Sequence, residues 1–161
     1  STDVSRFDGN LELVYETETA GVVIQAPQLD INTVAAGGGS KLLIKNGAFA
    51  VGPESVRAHP GPVCYKKAGG QLAVTDANLA LNRILPKYFP KIFGPNEDEQ
   101  LDYTGTMNAF AELQTLINSS EVTMQKSEMS VEDIALGFLR VANEAMCRPI
   151  RELSESRGHD P

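Results

Sequence analysis

The chain has 161 residues, of which 42% are hydrophobic and 22% are charged, a composition typical of one globular domain. Its formal net charge of -7 argues against nucleic acid or an anionic membrane as a partner, because both require clustered Lys and Arg. No run of about 18 apolar residues and no signal-like segment marks the chain for a membrane or for export. The two cysteines form no CxxC pair, which favours a reducing compartment, and we expect a cytoplasmic protein.

Residues 1–70 are predicted to be mostly β. Apolar and polar side chains alternate over residues 4–24 around the turn Asp8-Gly9-Asn10, which predicts a hairpin. Two further strands are predicted at Asn32–Ala36 and Lys41–Ile44. Asn46-Gly47 then predicts a second hairpin turn.

Pro and Gly dominate the segment from Gly52 to Gly70, which predicts a long ordered loop. Such loops inside compact domains are often functional. The remainder, residues 71–161, is predicted to be mostly helical. Its first helix is capped by Thr75 or Asp76 and its apolar positions continue up to Pro86.

Two more helices are predicted from apolar side chains at three- and four-residue spacing. One covers Tyr103–Asn118, and the other opens at a capping box formed by Ser130 and Asp133. Pro149 is expected to bend or end the last helix near Arg148, because proline lacks a backbone donor. A small sheet backed by three helices predicts an α/β or α+β domain.

A run of three glycines and a serine, Gly37, Gly38, Gly39 and Ser40, follows a predicted strand directly. Glycine offers only backbone, so this loop can approach a ligand closely. Several N–H groups in such a turn can point at one anion, of which phosphate is the commonest. The alternative interpretation is a flexible hairpin corner.

Three other stretches concentrate groups that bind or react. Ser1, Thr2 and Asp3 can hold phosphate oxygens and a hydrated Mg²⁺, or form an ordinary polar terminus. His59 lies in the Gly/Pro loop, where a structural hydrogen-bonding role is the alternative to catalysis or metal binding. Asp76 is either a helix cap or a carboxylate presented to a site, and Asp30 precedes the glycine loop.

Several motifs in order resemble the hydantoinase A and 5-oxoprolinase family, and within it the eukaryotic ATP-dependent 5-oxoprolinases. The motifs are STDVSRFDG, AGVVIQAPQLDINTVAAGGGS, VGPES, HPGPVCY, TDANLAL and GFLRVANEAMCRPIRELSESRGHDP. They cover nearly the whole chain except the stretch from about residue 96 to residue 129. The chain begins without Met and ends in a polar turn, and we expect it to be a piece of a longer protein.

The resemblance implies an actin-like, sugar-kinase-like ATPase fold, with residues 1–161 forming part of the second ATPase lobe. STDV matches the tail of the family's second phosphate-binding loop, which implies that Ser1 and Thr2 lie near the nucleotide phosphates. By the same match Asp3 lies beside the metal or the attacking group. We expect the glycine loop and residues 1–3 to line one pocket, and the isolated chain to bind ATP weakly.

The reaction implied is the ATP-driven opening of 5-oxo-L-proline to L-glutamate, with Mg²⁺ and K⁺. Phosphorylation of the lactam oxygen activates a resonance-stabilised amide toward water, so the protein must align the phosphate and neutralise charge. Gly37–Ser40 are the candidate backbone donors. Asp3, Asp30 and Asp76 are the candidates for metal ligand or base, and His59 is a further candidate.

Other interpretations stay open. A hydantoinase or a ketone carboxylase subunit would activate a carbonyl oxygen by the same ATP step, and an excised module would be inactive alone. The chain departs from its relatives at Val56 and Arg57, where they usually have small residues, and at Asn82, where they usually have Gly. If positions 56 and 57 face the substrate, the identity of the substrate is less secure than membership of the family. Exposed strand edges lead us to expect a homodimer.

Overall fold

The computed structural model describes residues 1–119 and 127–160, apart from the side chain of Thr19. It divides into two compact units, of which the first comprises residues 1–34 and 145–161 and the second residues 35–144.

The first unit contains six short strands that pair antiparallel in a nested order. They are β1 (Thr2–Ser5) with β6 (Ile31–Val34), β2 (Leu13–Val14) with β5 (Gln28–Leu29), and β3 (Thr17–Thr19) with β4 (Val22–Ile24). This nesting makes residues 2–34 one long interrupted hairpin with its tip at Ala20-Gly21, where φ is 51° and 81°. The prediction of a hairpin centred on Asp8-Gly9-Asn10 is therefore wrong for β1. The turn there closes only a single bridge between Phe7 and Leu11.

The second unit begins with a hairpin of β7 (Ser40–Lys45) and β8 (Ala48–Ser55). Its turn is the predicted Asn46-Gly47, with φ of 51° and 77°, the double left-handed geometry of a type I′ turn. Strand β8 continues to Ser55, so the prediction of a loop from Gly52 onward is wrong over its first four residues. A single 3₁₀ turn at Val63–Tyr65 interrupts the rest of that segment.

Three α-helices follow: α1 (Val74–Ala80), α2 (Tyr103–Asn118) and α3 (Val131–Glu155). The predicted bounds of α2 are confirmed, as is the opening of α3, where the Ser130 Oγ accepts the Asp133 N–H at 3.1 Å. The prediction that α1 extends to Pro86 is wrong. Helix α3 continues through Pro149 rather than ending near Arg148.

The hydrophobic core lies in the second unit. Helix α2 buries Phe110 and Ile117, while Phe49 of β8 packs on Phe138 of α3 with ring centroids 4.6 Å apart. Around α1 a second cluster joins Cys64, Leu79 and Leu101. Helices packed with antiparallel strand pairs confirm the predicted α/β class, although the strands form separate two-stranded ladders rather than one mixed sheet. Within residues 1–119 and 127–160, no helix is both long and apolar enough to cross a bilayer.

Candidate functional site

A cleft of about 540 Å³ opens on the second unit beside the end of β8. It contains His59, one of the predicted site residues. Its lining consists of Lys41, Glu54, Ser55, Val56, Arg57, His59, Pro60, Gly69 and Gln71. Charged and polar side chains predominate, so the cleft suits a polar ligand.

The loop that forms one wall of the cleft is held by its own backbone. The Val56 N–H donates to the Gly39 carbonyl at 2.8 Å, and the Gly61 N–H donates to the Val56 carbonyl at 3.2 Å. Gly61 has φ of 80°, and a Cβ there would collide with the Tyr65 ring. Residues 56–61 therefore form a closed loop, which fixes the backbone positions from which the side chains of Arg57 and His59 extend.

The glycine loop, Gly37–Ser40, packs closely against the residues next to this wall of the cleft. A Cβ on Gly39 would lie 2.8 Å from the Ser55 Oγ, and one on Gly38 would lie 2.9 Å from the Thr75 Oγ1. The Gly38 carbonyl accepts both the N–H and the hydroxyl of Thr75, each at 2.9 Å. Close packing inside the unit thus accounts for these two glycines.

The hydrogen bonds of the loop use carbonyls more than amides. The Gly37 N–H donates to the Ser40 Oγ and the Ser40 N–H to the Gly37 carbonyl, both at 3.0 Å. The N–H groups of Gly38 and Gly39 take no part in these bonds. Their predicted role as phosphate donors stays a prediction.

Charge in the cleft is unevenly compensated. Lys41 pairs with Glu54 at 2.6 Å, and the hydrogen bond from Lys41 lowers the pKa of the Glu54 carboxyl below its usual range. By contrast, the side chains of Arg57, His59 and Gln71 make no hydrogen bond or ion pair with any residue that the structure describes. The Arg57 N–H is held by the Ser55 Oγ at 3.0 Å. Val56 and Arg57 both line the cleft.

Asp76 lies apart from solvent at the first turn of α1. Its carboxylate accepts the N–H groups of Cys64 at 2.8 Å, Ala73 at 2.9 Å and Val63 at 3.1 Å, with the Thr106 hydroxyl at 3.4 Å. Burial raises the pKa of Asp76, against the lowering effect of these donors. This arrangement favours the helix-cap interpretation over a metal or catalytic role, because donors within the chain occupy both oxygens.

Cys64 is a buried thiol beside this carboxylate. Burial first, and then the Asp76 charge, raises its pKa far above the ordinary range. The side chain is fully inaccessible. Cys64 therefore behaves as a passive core residue rather than a nucleophile.

The remaining predicted residues belong to the first unit. Asp3 is exposed, and its Oδ1 accepts the Thr33 hydroxyl across the β1–β6 pair at 2.6 Å. Ser1 is exposed and Thr2 half-buried. Because these residues and the glycine loop lie in different units, their common pocket stays a prediction.

Asp30 takes part in an ion-pair network of the first unit. Its Oδ2 lies 2.9 Å from the Arg157 Nη2, which is also 3.3 Å from the Glu12 Oε2. Glu12 in turn pairs with Arg6 at 2.6 Å. In this structure Asp30 therefore ties residues 1–34 to the end of α3.

The residues that the structure describes contain no group of three or more His, Cys, Asp or Glu placed to hold a metal ion. Asp3 offers one exposed carboxylate, and Asp76 is occupied. One or two protein carboxylates together with substrate phosphates are a common Mg²⁺ environment. Within the described part of the chain, only Asp3 fits such a role among the predicted metal ligands.

Sequence reasoning missed Lys41 and Gln71 as lining residues and noted Arg57 only as a departure from relatives. Lys41 follows the glycine loop directly, and Gln71 follows the glycine pair at 69–70. Their positions beside glycine-rich turns were the available signal. Their meeting in one cleft depends on tertiary pairing, including the bridge between Lys41 and Ala73.

Comparison with known proteins identifies the family to which the chain is similar. The model of the hydantoinase/oxoprolinase family matches residues 1–161. The chain is 64% identical to 5-oxoprolinase 1 of Arabidopsis thaliana and 62% identical to 5-oxoprolinase of Dictyostelium discoideum, in each case over 99% of its length. It spans only 13% of the length of each of these relatives.

Among solved structures, the nucleotide-free acetone carboxylase of ATP-dependent acetone carboxylation superposes with a TM-score of 0.69 at 22% identity. The match covers 95% of this chain and 20% of that one. The likeness confirms the expected α/β fold. Because the family model matches residues 1–161, the chain belongs to the hydantoinase/oxoprolinase family.

Proposed function

We propose that the chain is part of the second ATPase lobe of an ATP-dependent 5-oxoprolinase, which opens 5-oxo-L-proline to L-glutamate. The observation that carries the proposal is the 64% identity to a 5-oxoprolinase over nearly all of the chain. ATP transfers its γ-phosphoryl group to the lactam oxygen and leaves as ADP. Water then attacks the activated ring carbon, the ring C–N bond breaks with protonation of the nitrogen, and inorganic phosphate is released. We propose Mg²⁺ and K⁺ as the accompanying cations and the cytoplasm as the location.

We assign different roles to the candidate side chains according to whether they are exposed or already engaged by other residues. Asp3 and His59 are exposed and can contact substrate or a hydrated metal. Asp76 and Asp30 are engaged by donors within their own units, and we assign them positioning roles. Backbone N–H groups at Gly38 and Gly39, with Ser1 and Thr2, are the proposed phosphate contacts.

A turnover assay of the complete protein tests the proposal. With 5-oxo-L-proline, MgATP and K⁺ we expect glutamate and ADP in equal amounts. Chelation of Mg²⁺ should abolish both products, and replacement of K⁺ by Na⁺ should reduce them. Glutamate production without ATP consumption would contradict the proposal.

A second candidate is an ATP-dependent hydantoinase or ketone carboxylase subunit, which the fold likeness to acetone carboxylase favours. Hydantoin, or acetone with bicarbonate, should be tested in parallel with 5-oxo-L-proline. Activity confined to either of these substrates would replace the first candidate by the second.

The isolated chain is proposed to be inactive and to bind MgATP weakly. Calorimetry of the isolated chain with MgATP measures this directly. Tight binding would show that residues 1–161 suffice for the nucleotide site. A structure of the complete protein with a nonhydrolysable nucleotide would then show whether Asp3 and the glycine loop meet the same phosphate.

A further inference from the structure

We propose that the cleft beside β8 binds an oxyanion through Arg57, assisted by the donors of His59 and Gln71. The three side chains line one cavity and make no hydrogen bond or ion pair with any described residue. Nothing assigned to the chain so far uses Arg57 or Gln71.

The charge balance of the lining supports an anionic ligand. Lys41 is compensated by Glu54 at 2.6 Å, so the Arg57 guanidinium is the cation in excess. A surplus cation in a cavity is notable on a chain whose formal net charge is -7. A negatively charged ligand would balance this charge.

The chemistry of the three side chains limits the class of anion that the cleft can bind. A guanidinium presents two parallel N–H groups that match the oxygens of a carboxylate or a phosphate. The Gln71 carboxamide and the His59 ring each add one N–H donor that can reach a further oxygen. The shared ligand chemistry is thus a carboxylate or a phosphoryl group.

The backbone around Arg57 is fixed before any ligand arrives. Its own N–H donates to the Ser55 Oγ at 3.0 Å, Val56 before it is buried, and the Gly61–Val56 hydrogen bond closes the loop. Arg57 also takes a left-handed φ of 59°, a conformation that a long side chain adopts at a cost. Preorganisation of this kind reduces the entropy lost on binding.

Because Arg57 supplies the uncompensated positive charge of the cleft, it is a candidate specificity residue of this chain. If the proposed function holds, on which this step rests, the anion is the ring carboxylate of 5-oxo-L-proline. The cleft would then select acid-bearing lactams over neutral ones. If the anion is instead a nucleotide phosphate, Arg57 would affect ATP alone.

The test is calorimetric binding to the complete protein, with Arg57→Gln compared with Arg83→Gln. Arg83 is exposed in the same unit and lies outside the cleft, so it controls for loss of charge. The probes are 5-oxo-L-proline, the neutral lactam 2-pyrrolidinone, and ATP. Arg57→Gln is expected to weaken 5-oxo-L-proline about tenfold, as for a lost charge-assisted hydrogen bond, and to leave 2-pyrrolidinone unchanged.

A loss confined to ATP would support the oxyanion site and assign it to phosphate. Equal losses for 5-oxo-L-proline and 2-pyrrolidinone, or no loss beyond that of Arg83→Gln for any probe, would overturn the proposal. Arg57→Lys keeps the cation but not the fork, and an affinity between wild type and Arg57→Gln is expected. Since binding is measured without turnover, absence of 5-oxoprolinase activity would overturn the proposed function while the ATP arm still tested the cleft.

Discussion

At the scale of single residues, Asp76 explains how the 3₁₀ turn at Val63–Tyr65 is held against the start of α1. One carboxylate accepts N–H groups from Val63 and Cys64 in the 3₁₀ turn and from Ala73 at the start of α1. It thus joins two elements that share no regular backbone ladder. Removal of this side chain leaves three backbone donors without their acceptor in a buried place.

We therefore predict that Asp76→Ala lowers the free energy of unfolding by at least about 3 kcal/mol, since each buried unsatisfied donor costs about 1–3 kcal/mol. Urea unfolding measures the change. Thr106→Val is the matched control, because the Thr106 hydroxyl lies 3.4 Å from the same carboxylate and forms a long, weak bond. The control should lose less than about 1 kcal/mol. Equal losses would contradict the structural role of Asp76.

The pH dependence of stability provides a separate prediction for Asp76. Burial raises its folded pKa above the usual 3.8, so between pH 3.8 and the folded pKa the native chain retains more of this proton than the unfolded chain does. Stability from this group is present below pH 3.8 and is lost as pH rises through the folded pKa. The free energy of unfolding of wild type minus that of Asp76→Asn should fall over this window. A difference that increases with pH would mean that the backbone donors outweigh burial.

The role of Asp76 shows what sequence alone can predict for one residue. Its position before an apolar run indicated a helix cap, because capping is a local interaction. The partners at Val63 and Cys64 come from a turn more than ten residues earlier, and no local pattern encodes that contact. Likewise, no local pattern places Lys41 and Gln71 beside His59, so only His59 was predicted as a site residue.

At the scale of elements, the end of α1 is defined by its capping geometry. The Asn82 N–H donates to the Leu79 carbonyl and the Arg83 N–H to the Asn78 carbonyl, which together form a Schellman motif. Asn82 occupies its left-handed position with φ of 56°. This position suits Gly best, and Asn tolerates it best among the other residues.

We predict that Asn82→Gly raises the free energy of unfolding by about 0.5–1 kcal/mol, because the left-handed strain is relieved. Asn82→Ala should lower it by a similar amount, since alanine keeps the Cβ and loses the local hydrogen bonding of Asn. Thermal and urea unfolding of the three proteins measure the order Gly, Asn, Ala. Asn82 ranking above Gly would mean that its side chain has a stabilising contact that outweighs the left-handed strain, and Ala ranking above Asn would contradict the local advantage of Asn.

Local signals explain which elements were predicted correctly. Helix α2 and the Asn46-Gly47 hairpin depend on spacing and turn chemistry within a few residues, and both are confirmed. The β1–β6 pair joins residues 26 to 32 positions apart, so the nearer Asp8-Gly9-Asn10 turn was misleading. Helix α1 was predicted too long because apolar residues continue after Asn82, although the backbone reverses there.

At the scale of the whole molecule, burial is concentrated in one unit. All hydrophobic residues that are buried fall between Ala36 and Ala142 in the described part of the chain. Residues 1–34, apart from the Thr19 side chain, contain no buried residue. Large apolar side chains there are instead exposed; they are Phe7, Leu11, Leu13, Tyr15, Val22, Val23, Ile24, Leu29 and Ile31.

We predict that the isolated chain self-associates through these strands, as dimers or larger species, because exposed apolar strands pair readily. Val22→Glu places a charge on β4, where Val22 is 62% exposed, and should shift the equilibrium toward monomer. Leu116→Glu is the control, since Leu116 is 57% exposed on α2 in the second unit. Sedimentation equilibrium over a range of concentrations measures both.

The same surface should behave differently in the complete protein. The relatives are several times longer than this chain, which spans 13% of their length, so other segments are available to cover the exposed strands. Val22→Glu should then destabilise the complete protein rather than disperse it. A wild-type isolated chain that stays monomeric at high concentration would instead mean that residues 1–34 remain soluble with their apolar side chains uncovered, and the covering segments would not be needed.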